Sequence, residues 1–345
     1  MTEKKEEATD WYKERQPIYR LLSKKVESLI QEILDLNKIN YHSIQSRCKS
    51  QESFENKIEK GISYDYKDMQ DMAGVRVIGY VNSDIVVISG IVRKNFFIDE
   101  KRSIDKATIL GINKVGYRSI HFVSKLSDER IKLPEYEIFK NIFFEIQIRT
   151  ILQHAWAEIE HDRNYKFGGV LPEQIQRNFS LVAGLLEIAD KEFNQISNEI
   201  DIYSKDVSNK TKSGNLNIPI NSTSLLQYFK DNQNQYKNLV LKNSSLELTT
   251  KLIDELKNME IKTLEDLNKI FTKKFKSEIN QTNISLGMAG VVRFALIIHD
   301  SERYFEKAWN RNWTRVSSNE IEFLKTNGVN IESLAKKHPF RIISK

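Results

Sequence analysis

The chain has 345 residues, long enough for one large domain or two ordinary ones with a sizeable core. Its net charge of +6 suits polyanionic partners such as nucleotides or RNA, and its single cysteine, Cys48, excludes an intramolecular disulfide and a cysteine-cluster metal site. The sequence contains no apolar run of membrane-spanning length and no apolar signal core in its first ten residues, so we expect a cytoplasmic protein without membrane contact.

The N-terminal part of the chain is predicted to be helical and then basic. Residues 1–10 are highly charged and are expected to form a flexible tail. Apolar residues recur at helical spacing through residues 11–40 and predict a long amphipathic helix. The basic segment at residues 41–60 is expected to begin as a loop. It contains three candidate triphosphate ligands, for which a solvated basic face is the alternative interpretation. These are Arg47, Lys49 and Lys57.

The middle of the chain alternates between strands and helices. Residues 74–81 and 116–124 are rich in β-branched and aromatic residues and predict two strands. A capped helix is predicted over residues 83–94. A third strand is predicted over residues 142–149, directly before another helix. This order, with one strand pair joined by a short connection, predicts a mixed-sheet α/β domain flanked by helices.

The strand over residues 142–149 has one apolar face and one polar face. Because side chains alternate along a strand, Glu145, Gln147 and Arg149 share the polar face. A carboxylate on a core strand that faces a second carboxylate is typical of metal-dependent phosphoryl transfer. Asp71, with Asp68 nearby, precedes the strand at residues 74–81 and is the candidate partner that holds Mg²⁺. The alternative for a single aspartate there is a helix cap or a surface charge.

Two further groups of side chains suggest chemistry. Tyr117 and His121 share one face of the strand at residues 116–124 and are suited to stack on a base and to contact a phosphate. The alternative is a half-buried aromatic beside a hydrogen-bonded histidine. On the helix after Thr150, His154, Glu158 and His161 share a face. Their spacing differs from the HExxH zinc motif, which favours a polar network that holds the helix in place.

The C-terminal part of the chain is predicted to be mostly helical. A helix is expected from Pro172 to about Val207, with a buried apolar set that includes Val182, Leu185 and Ile188. Residues 205–223 are rich in Ser, Asn and Lys and predict a linker. Residues 224–345 are expected to form a helical domain whose apolar core lies at residues 284–300; the sequence assigns it no role.

Three motifs in order resemble one family. DMAGVR (residues 71–76), GYRSIH (116–121), and EIQIRT with HAWAEIEHDRNYK (145–166) are similar to the synthetase domain of the RelA/SpoT alarmone synthetases. The resemblance implies a nucleotidyltransferase-like mixed sheet over residues 11–204, flanking helices included. It also implies transfer of the β,γ-pyrophosphate of ATP to the 3′-hydroxyl of GDP or GTP, which makes guanosine tetra- or pentaphosphate.

The resemblance also implies roles for individual residues. The cations Arg47, Lys49 and Lys57 match the ATP-binding segment of the family. Asp71 matches its Mg²⁺-binding aspartate. Tyr117 matches the tyrosine that stacks on the acceptor guanine, and His121 the histidine beside the phosphates. Glu145 matches the glutamate that assists the metal and acts as the base for the 3′-hydroxyl.

The acceptor is left open by one departure from the family pattern. Ile112 and Asn113 stand where many members have Pro-Lys. A toxic branch of the family pyrophosphorylates the 3′ end of tRNA or makes an adenosine analogue, so tRNA is the alternative acceptor. A third hypothesis, an inactive RNA- or ribosome-binding module, is disfavoured by the presence of Asp71 and Glu145. The sequence before Arg47 is too short for the hydrolase domain of longer members. A homo-oligomer and a neutralising or regulatory partner are both compatible with the sequence.

Overall fold

The chain folds into two compact units, Met1–Ser197 and Asn198–Lys345, each with its own hydrophobic core. The structure is a computed structural model. The residues that it describes are 2–61, 65–105, 119–167, 171–236, 239–241, 246–282, 284–309, 311–338 and 340–343.

A mixed sheet forms the centre of the first unit. Its strands are β1 (Ser43–Cys48), β2 (Ala73–Gly79), β3 (Phe97–Ile98), β4 (Ile104–Asp105), β5 (Ile120–Lys125) and β6 (Phe144–Thr150). The strand order is β1-β2-β6-β5-β3, and β4 also pairs with β5. β2 and β6 run parallel, and the other pairs are antiparallel. The predicted mixed sheet flanked by helices is therefore confirmed.

Helices surround this sheet. They are α1 (Thr2–Leu36), α2 (Gln51–Glu59), α3 (Asn82–Asn95), α4 (Asp128–Ile131), α5 (Ile151–Phe167) and α6 (Glu173–Lys212), with short 3₁₀ turns at Tyr66–Asp68 and Pro134–Phe139. The flexible tail expected over residues 1–10 is helical from Thr2 onwards. Its lysines and glutamates are good helix formers, and Ala8 is fully buried, which anchors this end of α1.

The basic segment at residues 41–60 differs from its prediction. It begins with the edge strand β1, which pairs with β2, and continues into α2, whose N-terminus is capped by Ser50. β1 was missed because its sequence, SIQSRC, holds one large aliphatic residue, Ile44, so the alternation that marks a strand is weak. Arg47 therefore lies on a strand rather than on a loop. Gly61 follows α2 with a φ of +77°, a left-handed conformation that commonly ends a helix.

The two faces of the sheet differ in character. Side chains such as Val75, Val77, Ile146 and Ile148 are buried on one face, in the core that α1 and α3 help to form. Residues that are paired across neighbouring strands point to the same face, so the register aligns the polar residues on the other face. The polar face carries Arg47 (β1), Gly74 and Arg76 (β2), Glu145 and Gln147 (β6), and His121 (β5).

Helix α6 corrects two predictions. Most of the apolar set that was expected to be buried is exposed: Val182, Leu185, Ile188 and Phe193 have exposed fractions between 46% and 66%. Helical periodicity identifies an apolar face but does not show that anything covers it. In addition, α6 extends to Lys212, and Val207 is fully buried in the second core. The first part of the predicted linker at residues 205–223 is therefore helical.

The second unit is mainly helical. Its helices are α7 (Ser222–Asp231), α8 (Leu246–Asn258), α9 (Leu264–Ile270), α10 (Lys273–Gln281), α11 (Met288–His299), α12 (Ser301–Arg303), α13 (Ser318–Thr326) and α14 (Ile331–Lys337), with a 3₁₀ turn at Gln233–Gln235 and a π-helical turn at Tyr304–Ala308. Two short strand pairs join β7 (Leu239–Val240) to β8 (Leu286–Gly287) and β9 (Arg315–Ser317) to β10 (Arg341–Ile343). Nine residues of α11 are buried, which places the apolar segment at residues 284–300 in the core. Among the described helices, none combines the length and apolar character needed to cross a membrane.

A buried ion pair lies inside the second unit. The Arg293 guanidinium donates from Nη2 to Glu255 Oε1 at 2.7 Å and from Nε to Oε2 at 2.9 Å. Tyr304 and Asn312 also donate to this carboxylate, at 2.9 Å each. Glu255 is fully buried, so hydrogen bonds from these side chains take the place of contacts with water.

We expect Arg293→Met to destabilise the second unit by about 3–5 kcal/mol, because the Glu255 carboxylate is left buried without its cation. Native-state hydrogen exchange of α8 and α11 measures this loss. The matched control is Lys269→Met, which removes an exposed pair with Glu265 and should cost about 0.5 kcal/mol or less. Equal protection in the two variants would contradict the prediction.

Candidate active site

Asp71 is held between two lysines at the start of β2. Lys49 Nζ donates to Asp71 Oδ2 at 2.7 Å, and Lys57 Nζ donates to Oδ1 at 3.0 Å. Lys49 follows β1, and Lys57 lies on α2. The structure thus brings together three of the residues that were singled out from the sequence. Asp68, the other aspartate considered there, is exposed on its 3₁₀ turn.

Helix α1 fixes the backbone that carries Lys49. The Tyr12 hydroxyl donates to the Lys49 carbonyl oxygen at 2.6 Å, and Gln16 Nε2 donates to the same oxygen at 3.2 Å. The Tyr12 ring stacks on Phe54 of α2 with centroids 4.4 Å apart. Both rings are fully buried. These contacts explain how a polar edge strand and a short helix present two lysines to one carboxylate.

Glu145 is held by two neighbours on the polar face of the sheet. His121 Nδ1 lies 2.7 Å from Glu145 Oε1, and Gln147 Nε2 donates to Oε2 at 2.7 Å. Because the carboxylate accepts the proton on Nδ1, a neutral His121 has Nε2 as an acceptor. Nε2 is buried and has no hydrogen-bond partner among the described residues. The imidazole therefore keeps one unused polar atom in the site.

Both carboxylates are held in the ionised form. Burial alone would raise the pKa of Asp71, but the charges and hydrogen bonds of Lys49 and Lys57 lower it overall. Burial likewise acts to raise the pKa of Glu145, and the hydrogen bonds of His121 and Gln147 lower it overall. The negative charge of Asp71 opposes this lowering of the Glu145 pKa, so the two carboxylates interact electrostatically.

Gly74 separates Arg47 from Glu145 on the polar face of the sheet. Gly74 lies beside Arg47 on one neighbouring strand and beside Glu145 on the other, and it contributes no side chain to the polar face. Arg47 is exposed there and forms no ion pair with a described acidic residue. The exposed Arg47 guanidinium therefore lies beside a residue without a side chain. Tyr117, the predicted base-stacking residue, lies outside the described residues.

Glu158 of α5 is hydrogen-bonded to two arginines of the sheet. It accepts from Arg76 Nη1 at 2.8 Å and from Arg149 Nη2 at 3.4 Å, while His161 is exposed. These contacts support the interpretation of Glu158 as part of a polar network that holds the helix against the sheet. The role of Arg76 was missed, because its partner is 82 positions away in the sequence.

Comparison with known proteins identifies the family of the chain. Residues 46–170 match the family described as a region found in RelA and SpoT proteins. The GTP pyrophosphokinase YwaC of Bacillus subtilis (strain 168) is 31% identical over 163 residues, which is 46% of this chain and 74% of that protein. The chain belongs to the RelA/SpoT family.

Other relatives of this RelA/SpoT-family chain match a similar share of its length. The GTP pyrophosphokinase YjbM of the same bacterium is 29% identical over 151 residues, which is 43% of this chain and 67% of that protein. The chain is also similar to the crystal structure of the small alarmone synthetase 1 from Bacillus subtilis. The match covers 56% of this chain and 98% of the synthetase chain, with 26% sequence identity and a TM-score of 0.47.

Lys49→Gln in this RelA/SpoT-family chain should raise the pKa of Asp71 towards the ordinary value for an aspartate, because the largest favourable interaction of that carboxylate is lost. A ¹³C NMR titration of the aspartate carboxyl groups measures the change. Lys67→Gln is the matched control, since Lys67 lies over the Tyr66 ring, 5.5 Å from its centroid. An Asp71 pKa that is the same in both variants would refute the proposed role of the lysine.

Proposed function

We propose that the polar face of the sheet transfers the β,γ-pyrophosphate of ATP to the 3′-hydroxyl of GDP or GTP. The observation that carries this proposal is an ionised Glu145, oriented by His121 and Gln147, beside the Asp71–Lys49–Lys57 cluster. A hydroxyl nucleophile needs a base, and a triphosphate donor needs cations, and this face offers both. Two relatives named as GTP pyrophosphokinases, YwaC and YjbM, support the same reaction class.

The cations on this face are suited to the donor nucleotide. Arg47 is directed to solvent and is proposed to bind ATP phosphates together with Lys49 and Lys57. A guanidinium and two ammonium groups would balance much of the charge of a triphosphate. When the phosphates bind, they would compete with Asp71 for the two lysines. The lysine ammonium groups would then pair partly with the substrate phosphates instead of with the Asp71 carboxylate.

Glu145 is proposed to accept the proton of the attacking 3′-hydroxyl. Its lowered pKa keeps the carboxylate ionised at neutral pH, which a proton acceptor requires. His121 and Gln147 each engage one oxygen of this carboxylate and so restrict its rotation. His121 Nε2 is proposed to face the phosphates. Tyr117 is proposed to stack on the acceptor guanine.

The donor set fits a magnesium ion. Mg²⁺ is commonly bound by one or two carboxylates together with substrate phosphates, so Asp71 and Glu145 would suffice on the protein side. Both are ionised, and the repulsion between their charges would be relieved by a cation. The bound ion would supply charge neutralisation for the transferred phosphoryl groups.

The proposal is tested by supplying the full chain with ATP labelled in the γ-phosphate, Mg²⁺ and one acceptor at a time: GDP, GTP or tRNA. We expect label in guanosine tetra- or pentaphosphate, and loss of that product when a chelator removes the metal. Label in tRNA without label in guanine nucleotides would contradict the proposed acceptor.

In the same assay, Glu145→Gln should lower kcat by about 10²–10⁴-fold, the range expected for loss of a general base. The control is Glu135→Gln, which alters an exposed glutamate on the Pro134–Phe139 turn and should leave kcat unchanged. A kcat for Glu145→Gln close to that of the control would exclude Glu145 as the base.

His121→Leu should move the acid limb of the kcat/KM profile to higher pH. His121 lowers the pKa of Glu145, so its removal makes Glu145 protonate at higher pH. Gln147→Leu removes a weaker influence on the same carboxyl and should give a smaller shift in the same direction. The role assigned to His121 fails if its variant keeps the wild-type acid limb.

A further inference from the structure

A cavity of about 250 Å³ lies on the face of the sheet opposite to Glu145. It is bounded by α3, α5 and α6 and by the ends of β5 and β6, all within the first unit. Its walls are mostly apolar, with side chains such as Ile85, Ile120, Ile148, Trp156 and Leu186. Apolar walls with a few convergent polar groups are typical of small-molecule sites.

Asp190 is the polar group that distinguishes this cavity from a packing defect. It lines the cavity from α6 and is only 3% exposed. Its Oδ2 accepts from the Thr150 hydroxyl at 2.8 Å. Burial raises the pKa of Asp190, although Thr150 and Gln153 oppose this rise, and Oδ1 has no hydrogen-bond partner among the described residues. A buried oxygen without a donor is unusual in a folded protein and calls for an explanation.

A second polar atom in the cavity wall shares this property. Ser119 is 4% exposed, and its hydroxyl has no partner within the described part of the chain. It lies directly before β5. Asp190 Oδ1 and the Ser119 hydroxyl are thus two buried polar atoms of the wall without a hydrogen-bond partner among the described residues, and the polar residues Asn82, Asp105, Gln153 and Glu187 also line the cavity. A ligand that satisfies Asp190 Oδ1 and Ser119 must carry at least one N–H or O–H donor.

The side chains of the cavity wall also indicate the shape of ligand that would fit. The Trp156 indole is fixed by a hydrogen bond from Nε1 to the Phe179 carbonyl oxygen at 3.1 Å. A rigid aromatic wall with aliphatic side chains around it favours a flat ring system over a flexible chain. Val86 lines the cavity and is 72% exposed, so the cavity is in contact with solvent at this residue.

We propose that this cavity binds an amino-substituted bicyclic heterocycle, the class that includes the purine bases adenine and guanine, with its N–H edge on Asp190. The ring lies between Trp156 and the aliphatic side chains of β5 and β6. Ile120 and Ile148 alternate with His121 and Gln147 along those strands. The ligand therefore contacts the back of the two strands that carry the candidate active site, without entering that site.

The probe is 2-aminobenzimidazole, titrated calorimetrically into the full chain. We expect saturable binding to the wild type and a loss of about ten-fold or more in affinity for Asp190→Asn, which replaces the acceptor by an amide. Val86→Trp introduces a larger side chain at this exposed lining position and should also weaken binding while leaving the fold intact. Glu145→Gln, on the other face, should bind the probe as the wild type does.

Competition by guanosine identifies the source of the heterocycle. Displacement of the probe shows that the cavity accepts a nucleoside, and lack of displacement shows that it accepts the free heterocycle alone. The proposal is overturned if the wild type gives no saturable binding. It is also overturned if Asp190→Asn and Val86→Trp both bind with wild-type affinity, or if Glu145→Gln abolishes binding.

Discussion

Two ionised carboxylates, Glu145 on the polar face of the sheet and Asp71 just before β2, are the constraint on which the rest of the first unit depends. A carboxylate that loses contact with water becomes harder to ionise unless donors compensate. The two groups are compensated differently: Asp71 has two lysines, and Glu145 has an imidazole and an amide. Because the partners of Asp71 are cations, substrate phosphates can compete with this carboxylate for the two lysines. Hydrogen-bond partners make Glu145 suited to a fixed orientation.

The sheet register turns this local chemistry into a site. β2 and β6 are parallel neighbours, and each has an antiparallel partner on its outer side. This order aligns Arg47, Gly74, Glu145 and then Val123 across four strands, with His121 two residues further along β5. A shift of one residue in any strand would turn its polar side chains into the apolar core. The helices that bury the other face therefore also determine which residues meet on the polar face.

Much of this arrangement follows from the sequence, but not all of it. The alternation around Glu145 is strong because β6 is central and Phe144, Ile146 and Ile148 make one of its faces apolar, so strand and face were both predictable. β1 is a polar edge strand with one large aliphatic residue, and its prediction failed. The expected burial of Leu185 and Ile188 failed for a related reason, since periodicity does not reveal what packs on a helix. Partners far apart in sequence, such as Arg76 and Glu158, depend on the fold and leave no local pattern.

The most direct test of the account is whether Asp71 and Glu145 belong to one metal and phosphate site. Mn²⁺ can replace Mg²⁺ as a paramagnetic probe, with a non-hydrolysable ATP analogue in place of the donor. We expect the ¹³C carboxyl resonances of Asp71 and Glu145 both to broaden when the ion and the analogue are present together, and that of Glu135 to remain sharp. If neither resonance broadens, or if only one of the two does, the two carboxylates do not share the site and the account is wrong.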